Sequence, residues 1–277
     1  MNVTLTGASG RLGSETCRLL VEQGHSVRAV DRQERADLPV RVEPADLLER
    51  DRCYQVLAGA EAVVHLANHP RYWPGADAQR VFNENVAMNM NVFEAAHDLG
   101  VKKIVFASSV QVITGHYTGP TSAAPPPACL PLDGNAPADP GNPYALSKYV
   151  GEQMLAYFAR LGTPSAVAIR FPALIRPEDV PEIRRRVCRF DPRDGFAWLF
   201  FSDAARLLSA VLQSSLPGFR VYLPAARTNG SGKPAADAVR TFYRGVPLRC
   251  PLEQMDCLVD ISAITRETGW TPQLNEL

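Results

Sequence analysis

At 277 residues and 46% apolar content, the chain is long enough to bury a large core, as one α/β domain or as a nucleotide-binding part with a smaller cap. Lys plus Arg and Asp plus Glu both total 29, so no global field draws it to nucleic acid or to an anionic membrane, and its partners are expected to be small molecules. The six cysteines lie scattered without a Cys-x-x-Cys, the N-terminus enters a strand pattern at once, and no apolar run approaches about 18 residues. The expectation is a reduced, cytoplasmic protein without a metal site, leader or membrane span.

Residues 2–6 read as a buried strand, and Gly7-Ala8-Ser9-Gly10-Arg11-Leu12-Gly13 as a glycine-rich turn into a helix over 12–23, closed by Gly24. Gly7 permits the tight turn, Gly10 lets the backbone approach a pyrophosphate, and Gly13 allows close packing of helix on sheet. Ser9, Arg11 and Leu12 share that loop and count with it as cofactor-binding candidates. A strand over 26–30 ends at Asp31, 18 residues after Gly13, where a carboxylate can accept from both adenosine ribose hydroxyls. A helix-capping glycine and a surface aspartate are the plainer alternative. Asp31 repels a 2′-phosphate and favours NAD, whereas Arg32 and Arg11 offer that phosphate a counter-charge, so NADP stays open.

A third short strand falls around 40–42. Asp46 and Leu47 follow it, either as a loop over the adenine edge or with Asp46 as the N-cap of a helix over 47–57. The strand over 62–67 carries His65, Leu66 and Ala67 to the carboxyl edge of the sheet, where open α/β sheets bind ligands; His65 reads as a packed strand residue. A helix over 77–99 places Val81, Phe82, Val86, Met90, Phe93 and Ala96 near a period of 3.6, as a cover for the sheet. The strand over 102–107 then delivers Ser108 and Ser109 to the same edge, Ser108 as readily a loop cap as a functional group.

Between 119 and 143 lie 8 of the 23 prolines, in a segment that is either a lid or a surface insertion. His116 and Tyr117, just before it, are substrate-contact candidates. Tyr144 and Lys148 follow on a helix over 144–161, four apart and on one face. With 4 lysines against 25 arginines such a pair is uncommon by chance, and an ammonium near a phenol favours the phenolate. Past a break near 171–177, Arg176, Arg184, Arg185, Arg186, Arg189 and Arg193 form a cluster that suits a carboxylate or phosphate but is as readily solvated. Ser202 and Asp203 are expected to cap a helix reaching 213, before a strand over 220–223 and a helix over 236–243.

In this order the glycine turn, Asp31, Asp46-Leu47, His65-Leu66-Ala67, Ser108-Ser109 and Tyr144-x-x-x-Lys148 resemble the extended short-chain dehydrogenase/reductases, the NAD-dependent epimerase/dehydratases. Arg170-Phe171-Pro172, Phe200-Phe201-Ser202-Asp203 and the 261–272 tail extend the resemblance to the C-terminal end. It implies an α/β Rossmann-type doubly wound parallel sheet over 1–172, with a smaller substrate-binding part over 173–277 that partly returns to it. It implies that Tyr144 is the acid/base, that Lys148 lowers its pKa and holds the nicotinamide ribose, that Ser109 bonds the reacting oxygen, and that Phe171 and Pro172 lie near the nicotinamide. A homodimer through the helices over 77–99 and 144–161 is also implied. Dehydratases and decarboxylases of the family place an acid directly after the serine or threonine, whereas this chain has Ser109-Val110-Gln111, so elimination is poorly equipped. The compact length, Phe106–Ser109 and Trp198–Asp203 are similar to the uronate dehydrogenase branch. The expected function is NAD(P)-dependent oxidation of a sugar or sugar acid. A nucleotide-sugar epimerase with tightly bound NAD and a non-catalytic NAD(P)-sensing protein are the alternatives.

Overall fold

A computed structural model describes residues 1–69, 75, 77–114, 126–185 and 190–277. The expected contact residues His116 and Tyr117, and Arg186 and Arg189 of the arginine cluster, lie outside the described residues.

Short apolar runs alternate with helices along the first two-thirds of the chain: β1 (Asn2–Thr6), α1 (Arg11–Glu22), β2 (Ser26–Asp31), β3 (Val42–Pro44), α2 (Arg50–Leu57), β4 (Ala62–His65), α3 (Ala78–Asp98), β5 (Lys103–Ser109), α4 (Gln111–Thr114), α5 (Pro143–Arg160) and β6 (Ser165–Phe171). There follow β7 (Ala173–Ile175), α6 (Val180–Arg185), β8 (Trp198–Phe200), α7 (Phe201–Gln213), β9 (Gly218–Tyr222), α8 (Ala235–Phe242) and α9 (Ser262–Thr268). The main sheet runs β3-β2-β1-β4-β5-β6-β9 with every pair parallel, a doubly wound order that reverses between β1 and β4.

Strand residues of alternating parity feed two cores, because successive side chains leave a strand on opposite faces. Val3, Leu5, Val105, Val167 and Ile169 join Cys17 and Leu20 of α1 and Leu207, Leu208 and Val211 of α7. Ile104, Phe106, Ala166 and Ala168 join Val92, Phe93 and Ala96 of α3 and Leu155 and Phe158 of α5 on the other face. A third core holds the distal elements together, with Trp198, Phe200, Leu223, Val239 and Leu258. It includes Leu130 and Leu132, whose amides donate to Pro247 O at 3.0 Å and Leu258 O at 2.9 Å. The later half of the proline-rich stretch is thus knitted into the C-terminal part.

Several boundaries differ from the sequence expectation. The third strand shifts to Val42–Pro44 because its register is set by Ala29, Val30 and Asp31 of β2. The second helix begins at Arg50: Asp46 accepts from Leu48 N at 3.0 Å and closes a turn ahead of the helix. Asp203 is not the cap of α7, whose N-cap is Phe200; its buried carboxylate instead accepts the amides of Gln273 and Leu274 at 2.9 and 3.1 Å and pairs with Arg206. On α3 the inward face carries Asn85 and Asn89 beside the apolar residues, whereas Met90 is exposed and Phe82 and Val86 are only half-buried. The strand over 220–223 becomes β9 at the edge of the main sheet, beside β6.

Candidate active site

The reversal of strand order brings the ends of β1 and β4 side by side, with Thr6 in register with His65. The loop after β1 therefore runs against Leu66 and Ala67. Gly7 takes φ +71°, and a Cβ there would meet Ala67 N at 2.7 Å; a Cβ on Gly13 would meet Gly7 O at 2.0 Å. Helix α1 starts behind this loop with Gly10 as its N-cap, no side-chain cap and no acid in its first turn. Exposed Gly10 and half-buried Leu12 flank an open set of helix amides, which fits a pyrophosphate.

At the tip of β2, Asp31 accepts from Ser9 N and Gln33 N, both at 3.1 Å, so its carboxylate is oriented by the glycine loop itself. Arg32 and Arg11 are exposed. A different arginine reaches this corner: Arg35 Nη1 donates to Ser9 O at 3.0 Å while its fork grips Asp37. Nothing periodic marks Arg35 in the sequence, since it stands in a loop. Leu47 is buried among α2 and α3 residues, which makes it a packing residue beneath the pocket, with half-buried Asp46 beside it.

Ser109 ends β5 opposite Phe171, and Val110 N donates to Phe171 O at 2.9 Å, which holds this edge to Phe171 and the buried Pro172. Helix α5 enters with Pro143 at its first position, and Asn142 Oδ1 accepts from Ala145 N at 2.9 Å as N-cap. Asn142 Nδ2 also donates to Gln111 Oε1 at 3.0 Å, tying the start of α5 to the residues after Ser109. Tyr144 is thereby buried beside Ser109, whose hydroxyl bonds to the phenol. Lys148, one turn on, is buried with Nζ 5.7 Å from the Tyr144 ring centroid.

Charge at this pair differs from the sequence expectation. Burial pushes the Tyr144 phenol up to about 12, and the bond with Ser109 only partly offsets it. Burial likewise brings the Lys148 ammonium down to about 7. Desolvation disfavours the charged form of both.

Ser108 and Ser109 diverge. Ser108 shares strand parity with Ile104 and Phe106 and so turns toward α5, where its Oγ donates to Glu152 Oε1 at 2.5 Å. Glu152 also receives a two-point fork from Arg170, Nε to Oε1 at 2.9 Å and Nη2 to Oε2 at 2.8 Å, and Arg170 Nη1 donates to Ala136 O at 2.7 Å. This buried knot uses the Ser108 hydroxyl away from the Ser109 side, which counts against the expectation of a substrate contact. Sequence reading missed the pair; its one local trace is that Glu152 lies one turn beyond Lys148. Arg176 is exposed with its guanidinium 3.4 Å from Glu178, Arg185 pairs with Glu182, and Arg193 with Asp191. Arg176, Arg185 and Arg193 of the arginine cluster therefore already have acidic neighbours.

His65 is fully buried between Thr6 Oγ1 at 2.7 Å and Asn89 Oδ1 at 3.0 Å, and burial holds its pKa down to about 3. It is the packed strand residue expected, and burial keeps it neutral. Among the described residues no helix is long and apolar enough to cross a membrane.

Known proteins align with this arrangement. The NAD dependent epimerase/dehydratase family matches residues 3–190. A uronate dehydrogenase of Pseudomonas syringae pv. tomato is 31% identical over 225 residues, 78% of this chain and 71% of its own. An NAD-dependent glucose-6-phosphate dehydrogenase of Haloferax volcanii is 29% identical over 231 residues, 79% and 83% of the two chains. In three dimensions, the structure of MoeE5 in complex with UDP-glucuronic acid and NAD superposes with a TM-score of 0.73 at 22% identity, covering 99% of this chain and 94% of that one, a likeness of fold. The match over two-thirds of the chain, on a glycine cradle shaped for a dinucleotide, makes this protein a member of the NAD dependent epimerase/dehydratase family, whose cofactor is NAD.

Proposed function

We propose that the protein oxidises a carbinol of a free sugar or sugar acid, with Ser109, Tyr144 and Lys148 as its catalytic residues. The observation that carries this reading is their convergence at the end of β5 and the start of α5, with β4 alone between β5 and the strand that leads into the glycine cradle. When bound, NAD supplies the acceptor for the hydride that leaves the carbinol carbon. Ser109 orients the hydroxyl; Tyr144, after its phenol has released its own proton to solvent, takes the hydroxyl proton as phenolate while the carbonyl forms, and the charged form of Lys148 beside it favours that phenolate against the burial that opposes it. Gly7, Gly10 and Gly13 with the α1 amides would hold the pyrophosphate, Asp31 the adenosine ribose, and Leu66, Ala67, Phe171 and Pro172 would wall the nicotinamide end. Asp31 supports NAD over NADP, because its fixed carboxylate repels a 2′-phosphate.

Val110, which follows Ser109, is buried and apolar, so no acid stands there to move a second proton. This supports simple oxidation over elimination, as do the dehydrogenase relatives from Pseudomonas and Haloferax. In this reading residues 1–172 bind the cofactor and residues 173–277 cover the substrate. Screening free uronates, aldoses, sugar phosphates and nucleotide sugars with NAD, at the NADH absorbance band, tests it. Stoichiometric NADH with a free sugar or sugar acid is expected; conversion of a nucleotide sugar with no net NADH would replace the proposal with an epimerase.

We also infer a homodimer through α3 and α5. Met90 on α3 and Leu146, Tyr157 and Leu161 along or just past α5 are exposed, beside a concavity of about 340 Å³ lined by Phe82, Pro140, Pro143 and Leu146. Sedimentation at micromolar concentration is expected to show a dimer, and Leu146→Glu to shift it toward monomer. The unpaired state of Cys17, Cys53, Cys129, Cys250 and Cys257 supports a reducing, cytoplasmic setting.

A further inference from the structure

Behind the Tyr144 and Lys148 pair lies a line of polar side chains that the proposed chemistry does not use directly. Lys148 Nζ donates to Asn68 Oδ1 at 2.6 Å and to Ala107 O at 2.7 Å, and sits 4.8 Å over the Phe106 ring centroid. Asn68 Nδ2 donates to Asn89 Oδ1 at 3.1 Å, and the same oxygen faces His65 Nε2 at 3.0 Å. His65 Nδ1 meets Thr6 Oγ1 at 2.7 Å, and Ala67 N donates to that hydroxyl at 3.4 Å.

Donor and acceptor rules leave one way to run this line. An ammonium has three donors and no acceptor, so Asn68 must turn its amide oxygen to Lys148 and its NH2 to Asn89. Asn89 must then present its oxygen to both Asn68 and His65, so His65 carries its proton on Nε2 and accepts at Nδ1 from Thr6. The orientation of each group fixes the next, across β1, β4 and α3. Among the described residues, two of the three Nζ donors are used on carbonyl oxygens.

We propose that Asn68 is a positioning residue: its amide oxygen, held by Asn89 and His65, fixes the Lys148 ammonium beside Tyr144. The proposal rests on the reading of Tyr144 and Lys148 as the proton-handling pair. A carbonyl dipole aimed at Nζ favours the charged form, which burial opposes. Among the described residues, the titratable groups that face Lys148 are Tyr144 on its own helix and His65 from β4, with Glu152 one turn further along that helix; Phe106 and Ala107 of β5 do not titrate. Glu152 is already paired with Arg170, and His65 is held neutral, so Asn68 is the side chain that adjusts this charge.

The full chain has only four lysines, so the Lys148 Nζ or Cε signal is separable by NMR after isotope labelling and identified by its loss in Lys148→Met. Burial brings the Lys148 ammonium down to about 7, so in the wild type it is expected to titrate there, charged below and neutral above. Asn68→Asp is expected to raise that midpoint by about one unit or more, since a carboxylate replaces a dipole at contact distance. Asn68→Ala is expected to lower it, and Asn89→Leu, which keeps Asn68 but removes its anchor, to lower it by less. Thermal unfolding checks that each variant is folded, and the three variants perturb the site independently. With a substrate from the screen, Asn68→Ala should lower kcat about tenfold with KM nearly unchanged, and the Asn68→Asp pH profile should move in the direction of its Lys148 midpoint. Midpoints that coincide in wild type and all three folded variants would overturn the proposal. Failure of the functional reading looks different: the wild type would show no NAD-dependent turnover while the lysine titration still responds to residue 68.

Discussion

The two halves of the site are built from different materials. The cradle half is backbone: Gly7, Gly13 and the first amides of α1 shape it, and the one side chain that specifies it, Asp31, is itself oriented by a loop amide. The proton-handling half is side chains, the buried Tyr144, Lys148, Glu152, Arg170, Asn89 and His65 with the half-buried Asn68, each held by another. A backbone site fails when anything is added to it. A side-chain site fails when anything is taken away, because each removal leaves a desolvated polar partner behind.

Substitutions on each side test that difference. Tyr144→Phe removes the proton acceptor and is expected to lower kcat about 10³-fold while NAD affinity, measured by calorimetry, stays within about twofold. An equal loss of NAD binding would place Tyr144 in the cofactor half instead. Glu152→Ala leaves the Arg170 guanidinium buried without its partner and is expected to destabilise the fold by about 3–5 kcal/mol in denaturant unfolding, more than Glu152→Gln, which keeps a hydrogen-bonding oxygen. In the cradle half, Gly13→Ala adds one carbon where Gly7 O already stands, and is expected to cost about 1–3 kcal/mol of stability and to weaken NAD binding, with no compensating gain from any polar substitution there. Smallest is Asp31→Asn, expected to weaken NAD about tenfold and to narrow the preference over NADP, measured as a ratio of kcat/KM values.

The same contrast explains what was legible in the sequence. Gly7, Gly10, Gly13 and Tyr144-x-x-x-Lys148 act through spacings of three or four residues, so their pattern survives in one dimension. Asn68 meets Lys148 across 80 residues and Arg170 meets Glu152 across 18, contacts that exist only once β4, β5, α5 and β6 are assembled. Asp203 resembled a helix cap because Asp at a strand-to-helix junction usually is one; its true partners are amides 70 and 71 residues away. Val42–Pro44 took its register from β2, and Met90 kept the helical period of α3 while facing outward. Periodicity identifies a helix and its apolar rows, but it does not say whether a row meets the sheet or stays exposed.

The edge position of β9 has a consequence for how the molecule is made. All seven residues of β6 are buried, and their outer edge is paired by Gly218–Tyr222, more than forty residues downstream. A nascent chain that has emerged only to residue 172 therefore carries a largely apolar strand with an unpaired edge, the kind of surface that recruits other chains. The cofactor-binding part can be drawn as a separate unit on paper, but during synthesis it is exposed to aggregation until the downstream strand arrives.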